Sequence, residues 1–179
     1  MVVLGNGASN RVTISSNEFD GQTSWSATCD GHHYWTLYLT GSSDLVTLKG
    51  NYIHHTSGRS PKTGGNSLIH AVNNYFYANS GHAFDNGAGA MVVAEGNVFQ
   101  NVKTPLLENK GQFFGSPSTG ANAVCQANLG HTCQLNSFGS SGTLGGSDTG
   151  FMSNFKGKSV ASAGAASSWV AGTAGVGKI

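Results

Sequence analysis

LIHAVNNYF (68–76) and MVVAEGNVF (91–99) are one nine-residue pattern written twice, with their asparagines, Asn74 and Asn97, 23 apart. Upstream, LVTLKGNYI (45–53) repeats the pattern on Asn51, again 23 before Asn74, and RVTISSNEF (11–19) repeats it on Asn17, 34 before Asn51. Five places before each asparagine stand Val12, Val46, Ile69 and Val92. Three before stand Ile14, Leu48, Ala71 and Ala94, and two after stand Phe19, Ile53, Phe76 and Phe99. Apolar residues two apart belong to a strand, whose side chains alternate between its faces. A Gly or Asn between two such strands tolerates the left-handed backbone of a bend. A strand pair recurring at this fixed interval, with like residues in register, is the pattern of an all-β, right-handed parallel β-helix. Each turn covers the apolar face and the backbone edge of its neighbour. Asparagines stacked at one corner would hydrogen-bond up the coil and satisfy groups the turn leaves unpaired. A sandwich of short strands offers no reason for the same positions to recur in register.

Composition narrows the function classes. The 179 residues carry a net charge of +1 and only 9% charged side chains, against about 25% in an ordinary domain. Near-neutrality supplies no basic field for nucleic acid or a membrane surface. No apolar run approaches the ~20 residues of a membrane-spanning helix. A hydrophobic content of 38% is too high for a disordered coil. The expected organisation is a coil over residues 1–104, bearing cleft loops, and a loop-rich tail over 105–179 that packs back on it as part of a monomer. Within the tail, SVASAGAASSWVAGTAG (159–175) is expected to form one terminal helix.

Cys125 and Cys133 lie eight apart in AVCQANLGHTCQL (123–135) and read as a disulfide-closed loop suited to an oxidising compartment. Cys29 is then left over, which means a reactive thiol, an intermolecular bridge, or a partner outside this sequence. MVVLGNGASNRV (1–12) has neither the basic region nor the apolar run of a secretory signal. The chain therefore reads as the later part of something longer, truncated at its N-terminal end.

The wider spacing between Asn17 and Asn51 implies an insertion of 11, which falls in SWSATCDGHHYWTLYLTG (24–41). Long connections on a rigid solenoid are where function sits, and this one carries Trp25, Tyr34, Trp35 and Tyr38. The densest polar cluster is HHTSGRSPK (54–62), which leaves a strand and enters a turn. Pro61 moves Ser60 out of helical geometry, so that Arg59 and Lys62 are expected on one side, near the aromatic insertion. Aromatic faces stack on sugar rings and cations meet carboxyl oxygens, which suits an extended polysaccharide of acidic or esterified sugars. A glycoside hydrolase would need two cooperating carboxylates, and the eight scattered acidic residues offer no such pair. His32–His33 and His54–His55 are adjacent pairs, expected to point to opposite faces of a strand and so to hold no metal. His70 and His82 read as satisfied polar groups on the coil.

On HHTSGRSPK (54–62), HAVNNYFYANSGHAF (70–84), VVAEGNVFQNV (92–102) and SATCDGHHYW (26–35), the chain resembles the C-terminal half of fungal pectin lyases of the pectate lyase superfamily. The resemblance implies a secreted enzyme cutting methyl-esterified galacturonan, the pectin backbone, by β-elimination, with no metal or organic cofactor. It implies that Arg59 is the base removing the C5 proton and that Lys62 lies in the same cleft. Trp35 is implied to belong to the aromatic substrate cleft, to which Tyr34 and Tyr38 are added as neighbours. It implies that Cys125 pairs with Cys133 and that Cys29 pairs with a cysteine of the N-terminal half, leaving it unpaired in this chain. Lys62 and partial burial are expected to raise the neutral fraction of Arg59, an otherwise poor base. Calcium-dependent pectate lyases resemble this pattern but carry a second arginine five places on, where this chain has Gly64. The alternatives are that calcium-dependent activity and an inactive coil that only binds pectin.

Overall fold

The computed structural model describes residues 1–178. Three five-stranded sheets run along one coil. The first holds Val2–Val3, Leu37–Leu39, Lys62–Thr63, His82–Asn86 and Thr104–Asn109. The second holds Val12–Ser15, Leu45–Lys49, Leu68–Val72, Met91–Glu95 and Gln112–Phe114. The third holds Glu18–Asp20, Tyr52–His54, Tyr75–Tyr77, Val98–Gln100 and Ser137–Gly139. Every ladder pairing is parallel. The chain visits the three sheets in turn, five times, as the right-handed parallel β-helix the repeat predicts.

Registers follow the repeat. Val12, Val46, Ile69, Val92 and Phe113 are successive Cα partners up the second sheet. Phe19, Ile53, Phe76, Phe99 and Phe138 are partners up the third. All but Phe138 fill the coil interior, where Phe76 and Phe99 stack at 4.8 Å; Phe138 caps the row, stacked on Phe99 at 5.3 Å but exposed. The asparagines form a ladder: the Nδ2 of Asn17, Asn51, Asn74 and Asn97 donates to the Oδ1 of the next at 3.2, 2.9, 3.0 and 3.0 Å, the last acceptor being Asn136. The residue before each of the first four, Ser16, Gly50, Asn73 and Gly96, has φ between 53° and 63°, the left-handed corner that turns the second sheet into the third.

Two features lie beyond the expected pattern. Each turn has a third strand, in the first sheet, where KT, LYL and HAFDN share no repeating residue types. The coil also runs on past residue 104, because Thr104–Asn109, Gln112–Phe114 and Ser137–Gly139 complete a fifth turn and bring in Asn136 as a fifth rung. This turn is interrupted by helices Thr119–Asn122 and Val124–Leu129 and by the Cys125–Cys133 disulfide, which is formed. The tail follows Gly139. Of the helix expected over 159–175, only the single turn Val170–Thr173 is helical; three glycines and a serine-rich stretch favour extended backbone in the rest.

Candidate active site

The first sheet builds the site. Tyr38 is the register partner of Lys62, and Lys62 of Asp85, so these three stand side by side on three successive turns. Their neighbours Leu39 and Phe84 point into the core, as alternation along a strand requires. Arg59 sits just before this row with φ of 49°, a left-handed conformation at the corner that leads into Pro61. Its carbonyl accepts from Leu37 N–H at 3.0 Å, tying the turn to the strand that follows Tyr34 and Trp35.

The Arg59 guanidinium lies 3.9 Å from the centre of the Trp35 ring and 5.3 Å from that of Tyr34. Trp35 meets Tyr34 edge-on at 5.8 Å and Tyr38 at 5.6 Å. The three aromatics named from sequence thus form one group, in which Trp35 and Tyr34 meet the arginine and Tyr38 packs on Trp35, and Trp35 remains 46% exposed, free to meet a ligand. Trp25 is no part of this group; it is 89% exposed on the outer loop. Cys29 lies on the same loop, exposed and unpaired among the described residues.

Two residues that sequence reading did not place here complete the site. Asp85, with a side chain 7% exposed, accepts from Lys62 Nζ at 2.7 Å, while its other oxygen is 3.9 Å from Arg59 Nε. Lys62 is therefore no bare cation beside Arg59, as the expectation about its effect on the arginine required; its charge is met by a carboxylate. Arg59 Nε is buried and makes no hydrogen bond among the described residues. His82 is buried beneath the turn, and its Nε2 accepts from the Arg59 backbone N–H at 3.1 Å. It meets Tyr34 edge-on at 5.6 Å. Burial holds its pKa below the usual histidine value, reinforced by Arg59 and Lys62 and opposed by Asp85. Gly58 fits between the two rings: a Cβ there would come within 2.6 Å of Tyr34 and 2.7 Å of His82. Asp85 and His82 each stand one repeat length beyond Lys62 and Arg59, so that interval applied to the cleft residues would have found both.

The remaining histidines lie elsewhere. His70 Nε2 and His131 Nε2 both contact the buried Glu95, at 2.7 and 2.8 Å, fastening the disulfide loop to the second sheet. His70 is thus paired, as read from sequence, though its Nδ1 is buried without a partner. His54 and His55 depart from the expected opposition. His55 leaves the strand with φ of 52°, and the two Nδ1 atoms meet at 2.7 Å.

A cation stacked on aromatic rings, with an ammonium–carboxylate pair beside it on a rigid sheet, is equipped to hold a carbohydrate ring and its carboxyl group. The family model described as pectate lyase matches residues 2–179. A pectin lyase of Colletotrichum gloeosporioides is 68% identical over 99% of this chain and 48% of its own length. Pectin lyase B of Emericella nidulans is 61% identical and a probable pectin lyase A of Aspergillus terreus 60%, over the same shares. The chain spans about half the length of the curated relatives it matches. Coil and sequence agree, and the chain belongs to the pectate lyase family.

Proposed function

We propose that this chain carries the proton-abstracting part of a secreted, monomeric pectin lyase, cleaving methyl-esterified galacturonan by β-elimination without calcium. In this reading Arg59 takes the C5 proton, and the electron pair of that bond forms the C4–C5 double bond as the glycosidic oxygen leaves C4. The methyl ester acidifies the proton, and its carbonyl oxygen gathers negative charge in the transition state, which the Lys62 ammonium stabilises. Trp35, Tyr34 and Tyr38 hold the sugar rings. The single observation that carries this reading is the state of Arg59. It is packed on Trp35 at 3.9 Å, while the nearest carboxylate, Asp85, accepts its hydrogen bond from Lys62. A base needs freedom from a hydrogen-bonded anion, and Asp85, 3.9 Å from Arg59 Nε, makes no hydrogen bond to that nitrogen. The Cys125–Cys133 disulfide supports an extracellular setting, and among the described residues no helix is long and apolar enough to cross a membrane.

The test is the ultraviolet absorbance of highly methylated pectin incubated with the chain in the presence of a chelator, since the unsaturated product absorbs where pectin does not. A rise abolished by Arg59→Ala is expected, with a fall of about 10²-fold or more. A rise that persists in Arg59→Ala rejects the assignment of the base. A rise lost on chelation returns the calcium-dependent reading. A tryptophan fluorescence change with pectin oligosaccharides, without any absorbance rise from folded protein, favours a binding coil.

A further inference from the structure

On the outer side of the third sheet, Asp20 and His54 are register partners on adjacent turns, and His55 follows at the corner. The left-handed conformation of His55 swings its ring back over His54. Gly21 makes this possible, because any Cβ there would run into the His55 carbonyl. His54 Nε2 donates to Glu18 Oε1 at 3.2 Å, which leaves Nδ1 as the bare nitrogen of that ring. That nitrogen faces His55 Nδ1 at 2.7 Å and Asp20 Oδ1 at 3.5 Å. Three electron-rich atoms from two turns of the coil thus converge within 4.8 Å of one another; Asp20 Oδ1 accepts from Gln22 N–H at 2.9 Å, and one proton lies between the two imidazoles.

We propose that Asp20, His54 and His55 form a binding site for a divalent late-transition-metal ion of the zinc or copper type, separate from the Arg59 cleft. Tetrahedral zinc bound at about 2.0 Å sets its ligand atoms about 3.3 Å apart. The observed 2.7 and 3.5 Å straddle that spacing. Two imidazoles and a carboxylate favour zinc, copper or nickel over calcium, which takes oxygen ligands. Glu18 plays the part of the outer carboxylate that fixes a ligating histidine's tautomer and ring orientation. Asp20 is exposed, so the ion has an entry path and a coordination position open to water. On binding, the proton between the two Nδ1 atoms moves through solvent to His55 Nε2, so that both rings stay neutral and both Nδ1 atoms donate to the metal.

Calorimetric titration with zinc chloride alone, at neutral pH, tests the site. It uses Cys29→Ser protein, because the exposed thiol is itself a zinc ligand. One saturable site is expected, weakened about tenfold or more by His55→Gln and by Asp20→Asn, and left intact by His131→Ala. Calcium chloride should give no such site. With copper in place of zinc, electron paramagnetic resonance should show coupling to two nitrogens in the parent and to one in His55→Gln. Circular dichroism identifies any variant that fails to fold, and Asp20→Asn, on an exposed side chain, then carries the test. Binding unchanged in folded Asp20→Asn and His55→Gln protein, binding lost in His131→Ala, or no saturation below about 1 mM zinc, would each overturn the proposal.

Discussion

The Nε2 of His82 holds the Arg59 backbone N–H only while that nitrogen carries no proton. Burial, with Arg59 and Lys62 adding to it, lowers the histidine's pKa from its ordinary 6.5, so the unfolded chain takes up the proton first as pH falls. The stability that neutral His82 contributes is therefore complete above 6.5 and is lost as pH falls below that value through the lower folded one. Unfolding midpoints should fall on acidification from about pH 7 to about pH 5, and His82→Gln should flatten that fall. Glutamine keeps an acceptor near the Nε2 position but does not titrate. An unchanged slope in His82→Gln would transfer the effect to another group, and His55, whose pKa burial also lowers, is the first to examine. Arg59 and Lys62 are legible in GRSPK as two cations of one proline-stiffened turn, and the roles proposed for them rest on the resemblance. Asp85 and His82 are silent in HAFDN, where only the period of the coil links them to the cleft. The histidine pair misleads for a local reason: alternation of faces holds along a strand and fails at a left-handed corner, where His55 stands.

Among the elements, the asparagine ladder bears the corner between the second and third sheets. The Oδ1 of Asn74 accepts from Asn51 N and Nδ2 at 3.0 and 2.9 Å, and its Nδ2 donates to Leu48 O at 2.9 Å and to Asn97 Oδ1 at 3.0 Å. All three asparagines of this run are fully buried, so Asn74→Ala strands donors and acceptors that water cannot reach. The expected loss is about 2–4 kcal/mol. Asn17, the exposed end rung, donates to Asn51 at 3.2 Å and to Ser15 at 2.9 Å, and Asn17→Ala should cost about 1 kcal/mol or less. Denaturant unfolding of both variants measures the difference, and equal losses would show that the ladder does not hold the corner. Four rungs are visible in the sequence because residue type and spacing coincide. The fifth, Asn136, is hidden: helices and a disulfide loop lengthen its turn to 39 residues, and the connection, unlike the corner, is free to vary in length. The first-sheet strands are hidden for the opposite reason. Val2–Val3, Leu37–Leu39 and Lys62–Thr63 are too short to show a period, and the longer His82–Asn86 and Thr104–Asn109 repeat none of their residue types in register.

A coil in which each turn touches only the next is quasi-one-dimensional, and the stability of the protein should be graded along its axis. The burial pattern already shows the gradient. All five residues of Leu68–Val72 and of His82–Asn86 are buried. In Val12–Ser15 half-buried residues alternate with exposed ones, in Glu18–Asp20 only the central phenylalanine is buried, and in Ser137–Gly139 none is. Middle turns are covered by neighbours on both sides, and each rung there is tied both above and below. End turns have one neighbour and open more readily. Hydrogen exchange read by mass spectrometry should therefore find the slowest exchange in peptides covering 68–76 and 82–99. Exchange should be faster in 12–20 and in 137–139. Arg59, Lys62 and their partners His82 and Asp85 stand on the slow, central turns. In the proposed function, that placement would give the cleft a rigid floor, and the preorganisation that charge stabilisation in the transition state requires. Uniform exchange along the axis would mean that the coil opens as one cooperative unit. Fastest exchange at 54–62 would instead make the cleft turn mobile, and Arg59 would then need its substrate to hold it in place.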